Sequence, residues 1–187
     1  MDMFAQLDAV IPTLGNLVKG TRPDQLESPT PCATFTVRDL LGHFVGNIDS
    51  VASGLRGEPM PATLAPRPEM LGDDPGIVYD KVMSDLRAAA REPGALDRVL
   101  RVPFGDVPAP VLLQFIAFDL IMHSWDLATA TGQQYSPPDE LVAAADAFAR
   151  QAIAPEWRDG DTFAAEVEPA ASATPLERLV AFSGRQA

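Results

Sequence analysis

The chain holds only two histidines, His43 and His123, and each lies in an apolar stretch with helical spacing. Asp119 stands four residues before His123, so on a helix the two side chains project from one face, one turn apart. Asp126, seven beyond Asp119, returns to nearly that face. The surrounding run, Phe118-Asp119-Leu120-Ile121-Met122-His123-Ser124-Trp125-Asp126-Leu127, is apolar enough that ionisable groups in it are costly unless something compensates them. The expectation is therefore that His43, Asp119 and His123 meet in a helix bundle and bind one divalent metal. Two neutral imidazoles and one carboxylate are a common catalytic set for zinc, with a fourth position left for water or substrate. Nickel suits the same ligands. Such a metal lowers the pKa of bound water to ~7 or polarises a carbonyl, and with a thiol it stabilises the nucleophilic thiolate. Asp126 is a candidate acceptor for a ligand imidazole N–H, set against the plainer role of anchoring a helix end or an arginine. Asn47, one turn beyond His43, is placed to orient a metal-bound water or a substrate oxygen.

Other chemically capable residues have simpler explanations. Asp39 completes a capping box with Thr36. Trp125 reads as core or pocket wall, and the lone Cys32 as packing. Arg178 and Arg185 read as residues that fix the tail rather than bind substrate.

The elements that must position these residues follow from periodicity. Residues 2–19 carry an apolar stripe through Phe4, Leu7, Val10, Ile11, Leu14, Leu17 and Val18, interrupted by Pro12, a position able to kink a helix. A Pro- and Ser-rich loop leads to Thr36, where a helix opens and runs to about Arg56, with Gly57 past its end. Residues 57–76 hold five prolines and read as an extended surface connection or a lid. A further helix is expected over about 75–91, a short hairpin over 98–107, and the central helix over about 110–130, stopped at Gly132. A last long helix starts at Pro137-Pro138 and reaches about Ala154; Thr162 to Val167 reads as a strand and Pro175 to Phe182 as a short helix. The reading is mainly α: a four-helix bundle with short β appendages and a small C-terminal helix. One domain is expected over residues 1–187, with 160–187 a short appendage.

Composition narrows the function classes. A net charge of −12 and a pI near 4.4 exclude a nucleic-acid binder, which needs a basic face. They argue equally against an anionic membrane surface. A single cysteine makes no internal disulfide, and the N-terminus lacks a signal-peptide pattern, so a cytoplasmic location is expected.

Taken together, several pieces resemble a known family. They are Thr30-Pro31-Cys32, Val37-Arg38-Asp39-Leu40-Leu41-Gly42-His43, the stretch from Asp119 through His123 to Gly132, and the tail Leu176 to Arg185. They are similar to actinobacterial proteins of the DinB/YfiT-like metalloenzyme superfamily, in the branch of the N-terminal domain of mycothiol-dependent maleylpyruvate isomerase. The resemblance implies a DinB-like four-helix bundle holding zinc or nickel. It puts the ligands on a helix-two histidine and a later carboxylate-x-x-x-His pair, matching His43, Asp119 and His123. It also implies a small-molecule substrate, mycothiol as the thiol, and a homodimer. The isomerase presents Glu where this chain has Asp119, and it carries a larger C-terminal domain. The activity implied is metal-dependent thiol isomerisation or S-transfer on a small electrophile. The alternative is a non-catalytic, metal-containing binding or regulatory module.

Overall fold

The computed structural model describes residues 1–32, 34–61, 63, 65–158 and 163–186. The first helix, α1 (Met3–Gly20), starts where the Asp2 carboxylate accepts from the Ala5 amide, and it buries Leu7, Val10, Ile11, Leu14, Leu17 and Val18. Pro12 lies on its exposed side without ending it, because burial of the stripe outweighs one missing hydrogen bond. Helix α2 (Val37–Arg56) opens on a complete capping box between Thr36 and Asp39 and stops at Gly57, whose φ of 85° is left-handed. Helix α3 (Pro75–Ala89) is capped by Asp74 and ends two residues before the expected Arg91.

The hairpin forms from β1 (Val99–Val102) and β2 (Gly105–Pro108), antiparallel, with Val102 opposite Gly105. Its turn is Pro103-Phe104, which places an aromatic ring at the tip. Helix α4 (Ala109–Thr131) follows, then α5 (Asp139–Ala152) and α6 (Pro175–Phe182), the last with a capping box between Thr174 and Glu177.

Helices α1 to α4 pack pairwise, α1 on α4 and α3, and α2 on α3 and α4, into a four-helix bundle with one shared core. The fifth long helix, α5, docks outside that bundle on α4 and α1, and α6 packs on α5. Helix α4 is buried on most of its circumference, which is why its sequence is apolar all round rather than on one stripe. It is long and apolar enough to cross a membrane by length and composition. Yet 72% of its most apolar window is buried inside the fold, the mark of a core helix.

Two regions differ from expectation. Residues 163–167 are not a strand; Val167 alone donates to the Ala181 carbonyl, at 3.0 Å, and Thr162 lies outside the described residues. The Pro-rich connection after α2 is partly strapped down. The Arg67 amide donates to the Gly42 carbonyl at 3.2 Å, and its guanidinium reaches the Gly46 carbonyl and, at 2.8 Å, the Ser50 hydroxyl. Leu71 at the end of the strap is buried. This close approach is possible because positions 42 and 46 carry no Cβ; one added at Gly42 meets the Pro68 backbone nitrogen at 2.6 Å. Gly42→Ala gains about 1 kcal/mol of helix propensity, but overpacking against backbone costs roughly 1–3 kcal/mol. The expected net result in urea unfolding is a less stable protein; an unchanged or raised midpoint contradicts this strap.

Candidate functional site

Helix α2 presents His43 from its second turn with Asn47 one turn later, and α4 presents Asp119, His123 and Asp126. Where the two helices face each other, the three residues expected to bind metal come together. One ligand atom from each of His43, Asp119 and His123 lies within 4.8 Å of the other two. The Asp119 carboxylate sits between the imidazoles, Oδ2 at 3.2 Å from His43 Nε2 and Oδ1 at 3.3 Å from His123 Nε2. The two rings are 4.9 Å apart, centre to centre, at 75°. Phe35 covers them, 5.5 Å from the His43 ring and 6.4 Å from that of His123. The Asn47 amide nitrogen lies 3.2 Å from both ring nitrogens of His43.

Behind the triad runs a polar chain. His123 Nδ1 is 2.7 Å from Asp126 Oδ2, so the same imidazole faces one carboxylate with each nitrogen. Asp126 is fully buried. Arg185, from beyond α6, closes on it as a fork: Nε donates to Oδ1 and Nη2 to Oδ2, both at 2.8 Å, while Nη1 donates to the Ser183 hydroxyl at 3.1 Å. The two roles weighed for Asp126, acceptor for an imidazole and anchor for an arginine, are thus held by its two oxygens together.

The electrostatics follow from this packing. Burial alone lifts a carboxyl pKa, but the His123 and His43 rings outweigh it and hold Asp119 well below the usual carboxylate range. Burial depresses an imidazole, yet Asp119, helped by Asp126, pushes His123 up to about 9. Asp126 is lowered against its burial by hydrogen bonds from His123 and Arg185. Without metal, the site is thus an imidazolium held between two carboxylates. For His123 the folded pKa exceeds the unfolded one. The stability it contributes to the metal-free protein is therefore fully present below about pH 6.5 and lost as pH rises through about 9. The expected loss over that window is roughly 3 kcal/mol, read as a falling unfolding midpoint in chelator-treated protein. His123→Gln should show no such decline, and an equal decline in that variant contradicts the assignment.

Among the described residues, the triad opens on a cleft of about 470 Å³ that Asn47, Cys32 and Arg185 also line. Burial pushes the Cys32 thiol up to about 11, so it is protonated near neutrality and not a nucleophile. Trp125 packs against the core and does not line this cleft, and Arg178 donates to the Ala171 carbonyl at 3.2 Å, holding the tail. Sequence reasoning missed Phe35 and the aromatic wall of the cleft. It also read Arg185 and Asp126 separately, and no local spacing joins residues 59 apart.

A DinB-like helical bundle that brings two histidines and an aspartate together on a cleft defines the class. Residues 7–128 match the model of the mycothiol maleylpyruvate isomerase N-terminal domain, and the chain belongs to that family. Two uncharacterized proteins of Mycobacterium tuberculosis, from strains CDC 1551 and H37Rv, are each 34% identical to it over 172 residues, 90% of either chain. Among solved structures, a histidine mutant of the mycothiol-dependent maleylpyruvate isomerase matches with a TM-score of 0.59. That match covers 77% of this chain and 68% of the other at 13% identity, a likeness of fold.

Proposed function

We propose that this protein holds one divalent cation on His43, Asp119 and His123 and uses it for thiol-dependent isomerisation or S-transfer on a small electrophile. The carrying observation is that three donor atoms from two separate helices converge within 4.8 Å on the wall of a cleft. The donor set fits: two imidazoles and one carboxylate, the kind of set that leaves a catalytic zinc an open position. Nickel meets the same preferences. When bound, the cation supplies Lewis acidity and favours the thiolate form of a thiol.

The remaining work falls to the chain's own residues. Asp126 accepts the Nδ1 proton of His123, so that Nε2 is the nitrogen offered to the cation. Arg185 holds Asp126 in place through its fork. Phe35 shields one side of the imidazoles, while Asn47 offers an amide beside His43. Family membership supports mycothiol as the thiol. In S-transfer, sulfur bonds to the electrophilic carbon as that carbon's leaving group departs with its bonding electron pair, and the thiol proton is released to solvent. In isomerisation, sulfur instead adds to a conjugated C=C, whose π pair moves to the conjugated carbonyl oxygen. After rotation about the former double bond the pair returns, the C–S bond breaks and the thiol departs unchanged.

The test is consumption or turnover of a low-molecular-weight thiol with a panel of electrophiles, with and without chelator. Chelator-sensitive turnover is expected to exceed the uncatalysed rate by at least tenfold for one or more electrophiles. Silence across the panel in protein that demonstrably carries metal favours the non-catalytic binding module.

A further inference from the structure

The cleft has a second wall that the proposed metal chemistry leaves unused. Phe104 from the hairpin tip, Phe115 from α4 and Trp157 from the turn after α5 meet there as a triangle. Their ring centres are 6.1 Å (Phe104 to Phe115), 5.7 Å (Phe104 to Trp157) and 5.8 Å (Phe115 to Trp157) apart. Phe115 and Trp157 lie within 28° of parallel. Phe118 and Phe163 extend the wall, 6.3 Å apart. Phe115 precedes Asp119 by four residues on α4, so the two side chains leave one face of the helix about one turn apart, roughly 6 Å along its axis. The rings and the triad thus line one cleft, within reach of a single small molecule.

The charge on this wall is equally informative. Among the described lining residues, Arg185 is the only Lys or Arg, and its guanidinium is already committed to Asp126 and Ser183. The His123 imidazolium of the metal-free protein is likewise held between Asp119 and Asp126, so no cation in that set is free to pair with a carboxylate lying on the rings, and the chain's net charge of −12 repels anions further. Flat π-faces attract flat, uncharged partners by burial and by offset stacking. Trp157 and Phe163 also lie beyond residue 128, where the match to the family ends, so this wall is built partly outside the stretch that defines the family.

We infer that the cleft selects a flat, uncharged, apolar substrate body, aromatic or conjugated, bound on Phe104, Phe115 and Trp157. As a statement about the electrophile, this rests on the thiol-chemistry reading above. As a statement about binding, it stands without it.

The experiment titrates the full chain by calorimetry with a matched pair, 1-naphthylmethanol (uncharged) and 1-naphthoate (anionic). The deciding arm is chelator-treated protein, where no metal ion is left to take the carboxylate and the His123 imidazolium is already paired with Asp119 and Asp126. The uncharged compound is expected to bind at least tenfold more tightly. Phe115→Ala and Trp157→Leu are each expected to weaken it at least threefold while metal content of the untreated protein stays unchanged. If Phe115→Ala fails to fold, Phe115→Leu keeps the volume and removes the π-face. Equal or tighter binding of the naphthoate overturns the inference, as does unaltered affinity in folded variants. Protein without metal that still prefers the alcohol leaves this inference standing and sinks the metal reading. Protein with metal that prefers the naphthoate in the deciding arm does the reverse.

Discussion

Purified protein is expected to carry close to one divalent metal ion per chain, and His43→Ala or His123→Ala is expected to lose nearly all of it. The size of the effect follows from comparison with weaker perturbations. Changing a group that only orients a metal ligand commonly costs 10–100-fold in affinity. Deleting one of three protein donors should exceed that, so a drop of more than about 100-fold is expected in each variant. The two sites differ in one respect. His123 is buried between Asp119 and Asp126, and in the metal-free protein it carries a proton held up to about 9. Metal must displace that proton, so affinity is expected to rise with pH up to about 9, with proton release measurable by calorimetry in buffers of different ionisation heat. Undiminished metal content in both histidine variants rejects these ligands. Retention in one alone shifts the site to the other histidine with Asp119.

The second large effect lies behind the triad, where Asp126 is fully buried and the Arg185 side chain is only 13% exposed. Removing one member of a buried, hydrogen-bonded ion pair strands the other, at a cost of about 3–5 kcal/mol. Asp126→Asn and Arg185→Met should each lower the unfolding midpoint by roughly 6–20 °C for a chain of this size. The double variant should lose much less than the two losses added, because neither charge is then left alone. Asp126→Asn should also weaken metal binding about 10–100-fold, since His123 loses the acceptor that sets its tautomer. Single variants within about 0.5 kcal/mol of the parent, a surface-like result, contradict this account of the tail as part of the site.

How far the sequence reached depended on the range of the interaction. Helix starts and stops were legible because they are local. Thr36 with Asp39, and Gly57 and Gly132 past helix ends, each act within a turn of backbone, and each stands where spacing placed it. The hairpin was legible for the same reason, its turn falling at Pro103-Phe104. Asp119, His123 and Asp126 share one helix, so their common face was fixed by periodicity alone. The strand read over 162–167 shows the limit: across the described residues 163–167 no strand forms, and only Val167 pairs, with the Ala181 carbonyl.

By itself, then, the sequence determined an acidic, mainly helical chain whose ionisable residues in the apolar α4 face one way. The sequence led to the expectation that His43 meets Asp119, but tertiary structure set that contact across 76 residues, and it alone decided that Arg185 reaches Asp126 from the tail. It also decided that α5 lies outside the bundle and that the hairpin tip, α4 and the turn after α5 build one aromatic wall. The physical reason is the same throughout. Backbone hydrogen bonds and caps act over three or four residues, so they are written locally. Packing of one helix face against another is chosen among many near-equivalent burials, and only the assembled core selects one.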